Sequence, residues 1–179
     1  DKDASEPFLG RNRAGYDYLS AYLFLKDMGV VKELAAGNFK VQFGQGLLLG
    51  GGFGVGKSMA LSSMGRQTHG LKPHSSTQEY GYLRGAGMAI GWGHTTFTLL
   101  AASTPMDATL KGDSLISSFK EDGYHRTGLE WSKKNNVTLR TVAANVRYSY
   151  RGLKYGATML AESLSLPYKG CDGFMGLSL

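Results

Sequence analysis

Along most of this chain apolar residues recur at every second position, the repeat of a β-strand rather than of a helix. The clearest case is Phe39, Val41 and Phe43, which alternate with Lys40, Gln42 and Gly44 inside a segment from about residue 33 to 49. Ahead of it, 15–26 separates Tyr16, Tyr18, Tyr22 and Phe24 from Leu19, Ala21, Leu23 and Leu25. A third strand is predicted over 79–90, with Tyr80, Tyr82, Arg84, Ala86, Met88 and Ile90 on one face and Gly81, Leu83, Gly85, Gly87 and Ala89 on the other. A turn at 91–94 leads to a fourth strand over 95–104, rich in Thr, Phe and Leu. A fifth, over 137–150, sets Ala144, Val146, Tyr148 and Tyr150 against Asn145, Arg147 and Ser149. A sixth, over 153–163, sets Tyr155, Ala157, Met159 and Ala161 against Lys154, Gly156, Thr158 and Glu162.

The connections carry as much information as the strands. Short ones fall at 27–32, 91–94 and 151–152, and long ones at 50–78 and 105–136, so the two kinds alternate. Outer-membrane barrels have this arrangement, with short turns at one end and long loops at the other. The predicted strands, about 10–16 residues long, suffice for a tilted membrane crossing. The expected fold is therefore all-β: an antiparallel up-and-down meander of about six long strands, part of a transmembrane β-barrel, with 1–179 forming a single barrel segment. Bacterial barrels start at 8 strands, so the segment is expected to belong to a larger barrel. The alternative is a soluble β-barrel or sandwich holding an apolar small ligand, with Phe39, Val41 and Phe43 facing its core.

A membrane barrel must show lipid an apolar face and its lumen a polar or small one. On that rule Lys40, Gln42, Asn145, Arg147, Lys154 and Glu162 are expected to face the lumen. Phe39, Val41, Phe43, Val146, Tyr148, Tyr155 and Met159 are expected to face lipid. Arg84 shares a parity with Met88 and Ile90, which requires it to lie near the interface or at a glycine bulge. Tyr16, Tyr80, Tyr150 and Tyr155 suit an interfacial girdle.

Composition narrows the classes further. The 179 residues include 26 Gly but only 4 Pro, which argues against a helical bundle and against a Pro/Gly linker. The single cysteine, Cys171, excludes an internal disulfide framework. There is no apolar run long enough for a transmembrane helix and no signal-peptide core at the start. The net charge of +6 suits an anionic surface such as lipopolysaccharide or an acidic partner. The basic residues are spread from Lys2 to Lys169 without a dense run, so nucleic acid is not an expected partner of this segment.

One motif points elsewhere. Residues Gly51 to Ser58 match the phosphate-binding pattern G-x-x-x-x-G-K-[ST], with Gly51, Gly56, Lys57 and Ser58 in the defining positions. A working loop would need a following helix and a second magnesium-binding carboxylate after a later apolar strand. Only MALSSMG separates Ser58 from Arg66, and no later strand ends in such an Asp. A P-loop nucleotide-binding protein is thus the minor reading, and no cofactor is expected. His69, His74, His94 and His125 read as solvated loop histidines without metal-ligand spacing. No Gly-x-Ser-x-Gly elbow exists, and Glu121 and Asp122 are adjacent, so no catalytic set is expected and the protein is read as non-enzymatic.

The strings EPFLGRNRAGYDYLSAYLFLK, GNFKVQFGQGLLLGGGFGVGKSMALSS, HSSTQEYGYLRGAG and EDGYHRT…KKNN resemble the C-terminal barrel of uncharacterised outer-membrane proteins of Bacteroidota. The resemblance runs from Glu6 to about Leu166, and its marks are Phe43–Gly46, Gly56–Ser58 and Asp122–Thr127. It implies a barrel in the outer membrane of a Gram-negative bacterium, with the lipid bilayer and other envelope proteins as partners. The role it implies is transport, envelope assembly or structural support. It carries no catalytic residues, and the Gly-Lys-Ser of that family lies where a strand leaves the sheet. Helix-hairpin-helix repeats that often precede such barrels are absent from this sequence.

Overall fold

Alternation of this kind is satisfied when strands pair edge to edge and turn opposite faces to two environments. In the computed structural model, which describes residues 20–44, 49, 70–75, 81–112, 115–120 and 128–167, the chain does so. The elements in order are β1 (Tyr22–Met28), β2 (Val31–Gln42), β3 (Gly70–Pro73), β4 (Leu83–Trp92), β5 (Thr95–Met106), β6 (Ala108–Lys111), β7 (Leu115–Phe119), α1 (Gly128–Trp131), β8 (Val137–Tyr150) and β9 (Leu153–Leu164). Six long strands form one antiparallel meander, β1-β2-β4-β5-β8-β9, and β3 pairs with β2 off this path. β6 and β7 form a separate hairpin. β1 and β9 are the edges of the meander, and among the described residues the sheet does not close into a barrel.

The three short turns lie at one end of the sheet and the long connections at the other, because the six strands run alternately up and down. The β8–β9 turn has a positive φ at both central residues, Arg151 (45°) and Gly152 (85°), the pattern of a type I′ turn whose twist suits a hairpin. The Gly93-His94 turn has it only at Gly93, as in type II′. Neighbouring turns are tied laterally: the amide of Gly91 donates to the carbonyl of Val30, and that of Ser149 to the carbonyl of His94.

The sheet has one filled face. Its core is Ala35, Phe39, Val41, Phe43, Leu49, Leu71, Leu100 and Ala143, with Phe24, Leu83 and Leu160 packed against it. Part of that filling comes from β2 itself. Phe39 opposite Leu83 is the last β2–β4 pair, and Val41 is then paired with Leu71 of β3. Yet the amide of Leu71 donates to the carboxylate of Glu33 at 2.7 Å. Glu33 and Val41 would be about 27 Å apart on a straight strand, so the end of β2 must fold back over the sheet, carrying β3 with it. Gly37, with φ +92°, lies before this bend, in the stretch still paired with β4, and a Cβ there would run into the carbonyl oxygen of Ala21. Leu71 fills the space over Gly87, its Cδ2 atom 3.1 Å from where a Cβ would stand.

This reverses one expectation. Phe39, Val41 and Phe43 are buried in the core rather than exposed, and Lys40 and Gln42 alternate with them, half-buried, opposite Lys72 and Gly70. Two-residue periodicity fixed the two sets but not which one is covered, and the folded-back segment covers the aromatic set.

A second, smaller cluster sits at the long-connection end. Ala108, Ile116 and Val137 are buried, with Leu110, Phe119, Leu164 and Leu166 against them. The β6–β7 hairpin thus packs on the start of β8 and the end of β9. It is tied down by Asn136, whose Oδ1 accepts from the amide of Ala108 at 3.0 Å and whose Nδ2 donates to the carbonyl of Ala108 at 2.8 Å.

Candidate functional site

The face opposite the core is covered by nothing among the described residues and is built from apolar side chains in register. One row crosses all six strands as Leu25, Leu34, Met88, Leu99, Ala144 and Met159. Toward the long connections the next row is Leu23, Ala36, Ala86, Ala101, Val142 and Ala161. Toward the short turns the next is Met28, Val31, Ile90, Phe97, Val146 and Ala157. A bulge between Val31 and Glu33 brings Val31 onto this face. No polar side chain interrupts these three rows. Leu99, Met159 and Val142 are 61%, 59% and 58% exposed, far above the burial usual for such residues in a globular protein.

Both margins of the band change chemistry abruptly. At the short-turn end comes an aromatic row: Trp92 opposite Thr95, then Tyr148 opposite Tyr155. The Tyr148 and Tyr155 rings stack at 5.3 Å, His94 packs edge-on to Tyr150 at 4.7 Å, and Trp92 is 81% exposed. At the other end, two residues beyond the alanine-rich row on each strand, stand Asn38, Arg84, Ser103, Arg140 and Ser163. Arg84 is held there: its Nε donates to Oδ1 of Asn38 at 3.0 Å, and its guanidinium lies 5.9 Å from the Tyr82 ring. Asn38 in turn donates to the hydroxyl of Ser20, and the Ser20 hydroxyl donates to the carbonyl of His74.

His74 departs from expectation. It is buried, not solvated, and stacks on Tyr82 with ring centroids 5.0 Å apart. Its burial depends on Asn38, whose carbonyl accepts from the His74 amide, a contact across many residues that local pattern does not reveal. His94 is exposed at its turn.

Over the turn-proximal half of β8 and β9 the core-side face is small or polar. Asn145, Arg147, Lys154 and Glu162 lie on this face, opposite Thr158, Gly156, Ser149 and Thr141 respectively. Asn145 Nδ2 donates to Thr158 Oγ1 at 2.8 Å and to the Ala157 carbonyl at 3.2 Å, and Thr141 Oγ1 donates to Glu162 Oε1 at 3.4 Å. Val146, Tyr148, Tyr155 and Met159 stand on the opposite, apolar face, as their parity predicted.

The nucleotide-loop residues Gly51, Gly56, Lys57 and Ser58 lie outside the described residues, as do His69, His125, Tyr16, Tyr80, Glu121 and Asp122. Among the described residues no three His, Cys, Asp or Glu side chains gather as a metal site. No described helix is long and apolar enough to cross a membrane.

Sequence reading found Arg84 as a margin residue but missed Arg140. A signal was present: each arginine stands eight residues before an aromatic, Arg84 before Trp92 and Arg140 before Tyr148, on strands that run into a short turn. No protein-family model, curated protein or solved structure matches this chain.

Proposed function

We propose that this chain is a segment of a transmembrane β-barrel of a Gram-negative outer membrane, with a non-enzymatic role in transport, envelope assembly or structural support. The observation that carries the reading is the set of three uninterrupted apolar rows across six strands, exposed or half-exposed throughout and bounded by an aromatic row and an arginine–serine row. A patch of this kind on a soluble sheet would need a partner to cover it. Against lipid it needs none, since membrane barrels carry such a band flanked by aromatic girdles.

The dimensions agree. Arg140 and Tyr148 are eight residues apart on β8, which at roughly 3.4 Å per residue and a tilt of about 40° spans about 21 Å of depth, close to the ~25 Å apolar band of such barrels. The opposite face, with Thr96, Thr98, Thr141, Asn145 and Arg147, has the polar and hydroxyl chemistry of a lumen. The folded-back end of β2 and β3 would then narrow that lumen from within. The burial of Phe39, Val41 and Phe43 is what the soluble alternative expects; what favours the membrane reading over it is the exposed apolar band on the other face.

The test is solvent dependence of folding. The full chain is refolded in plain buffer, in non-ionic detergent and with phospholipid vesicles, then compared by far-UV circular dichroism and by migration of unheated and heated samples on SDS gels. Strand signal and a heat-dependent mobility shift are expected only with detergent or lipid. A monomer that folds in plain buffer at high concentration would overturn the reading.

A further inference from the structure

The arginine–serine margin has a chemistry that a mere end to the apolar band does not require. Serine and asparagine alone would terminate the band. Instead two guanidinium groups stand in the same row, Arg84 on β4 and Arg140 on β8, with β5 between them. Their backbones are therefore about 10 Å apart across the sheet, so each can take its own anion. Arg140 is flanked on both sides by hydroxyls, with Ser103 opposite it on β5 and Ser163 opposite it on β9. All three side chains are exposed, as is Arg84. Neither this row nor the next one outward, with Tyr82, Pro105, Thr138 and Ser165, carries a carboxylate.

Resting on the membrane reading, we infer that this row is a recognition strip for the phosphate groups of anionic lipids at the long-connection end of the barrel. The row begins where the apolar band ends, which is the depth of lipid headgroups. A guanidinium presents a planar fork of N–H donors that matches phosphate, and adjacent hydroxyls add further donors to the same oxygens. Arg84 is preorganised for the task. The bond from its Nε to Asn38 and the Tyr82 ring beside it hold the guanidinium plane, and its terminal nitrogens are the part a phosphate would meet. The corresponding row at the opposite margin is aromatic, with Trp92, Tyr148 and Tyr155, and the cation beside it, Arg151, lies in the β8–β9 turn over the Tyr150 ring.

The experiment uses the full chain folded in non-ionic detergent, titrated with phosphatidylglycerol and in parallel with phosphatidylcholine. Bound lipid is read by native mass spectrometry. Phosphatidylglycerol should bind more tightly, and Arg84→Gln and Arg140→Gln should each reduce that preference about fivefold, the worth of one arginine near an anionic lipid surface. Arg140→Gln removes no hydrogen bond that holds the sheet together, so it reports on binding even where Arg84→Gln loosens the Asn38 contact. The double variant Lys72→Gln/Lys111→Gln removes twice the charge of either arginine variant, at exposed sites outside the row, and should still leave the preference unchanged. Equal binding of the two lipids, or an equal loss in the lysine variant, overturns the inference while leaving the membrane reading intact. A chain that takes up no detergent and is folded in plain buffer overturns both.

Discussion

Leu99 stands in the middle of the three apolar rows, and replacing it with arginine separates a lipid-facing surface from a water-facing one. It is four residues from Thr95 in the aromatic row and four from Ser103 in the arginine–serine row. At about 3.4 Å per residue and a tilt near 40°, that places it roughly 10 Å in depth from either margin. At such a midplane position an arginine on the lipid face costs about 2–4 kcal/mol, whereas near an interface the cost falls to about 0–1 kcal/mol. Leu153, exposed beside the Arg151-Gly152 turn, supplies the interfacial comparison. In water the prediction differs, since an exposed surface substitution with no buried partner stays within about 0.5 kcal/mol. The assay is urea unfolding of Leu99→Arg and Leu153→Arg in phosphatidylcholine vesicles, followed by tryptophan fluorescence. Leu99→Arg should be the more destabilising by about 1–4 kcal/mol. A neutral Leu99→Arg, or a penalty no larger than that of Leu153→Arg, would refute the assignment of this face to lipid.

Three further outcomes are expected. Leu71→Ala should destabilise the fold by about 2–5 kcal/mol through the cavity left over Gly87, and Gly87→Val by about 1–3 kcal/mol through crowding of Leu71; the double variant should lose less than the sum, as a double-mutant cycle in urea would register. With Cys171 replaced by Ser, a cysteine at Val142 should resist a water-soluble maleimide in vesicles while one at Ser103 reacts, and equal labelling would contradict the boundary between their rows. Lys57→Ala should change neither folding nor the calorimetric response to magnesium-ATP; a magnesium-dependent affinity lost in the variant would restore the nucleotide-loop reading.

Five of the six meander strands were legible because each offers ten or more positions on which a period of two can be read, whereas the predicted 15–26 meets the seven-residue β1 only over 22–26 and in part lies outside the described residues. The observed β8 coincides with the predicted 137–150, and β4 and β5 differ only at their ends. The short β3, β6 and β7 went unread because four or five residues cannot display alternation above background, and their partners are set by tertiary contacts. The reversal at Phe39, Val41 and Phe43 has a different origin. Alternation is symmetric between faces, so it reports two sets and leaves their environments open. What decided the matter was the return of β2 beyond Phe39, where pairing with β4 ends and pairing with β3 takes over, a tertiary event that alternation does not mark. That Val146, Tyr148, Tyr155 and Met159 share one face was recoverable from the parity of β8 and β9, because there the chain runs straight from turn to sheet end. The arginine–serine margin depends on register between strands, which the sequence encodes only through turn positions.

The two edges of the meander impose an arithmetic of their own. β1 runs toward the short turns and β9 away from them, so the edges are antiparallel to each other. Any element that bridges them while keeping every neighbour antiparallel must therefore contribute an even number of strands. It can come as hairpins, or as another copy of this six-stranded meander, but a single strand or three would force a parallel pair at the seam. Even strand number, usually stated as a property of finished bacterial barrels, would follow for any such closed form from the directions of the two strands that edge the described sheet.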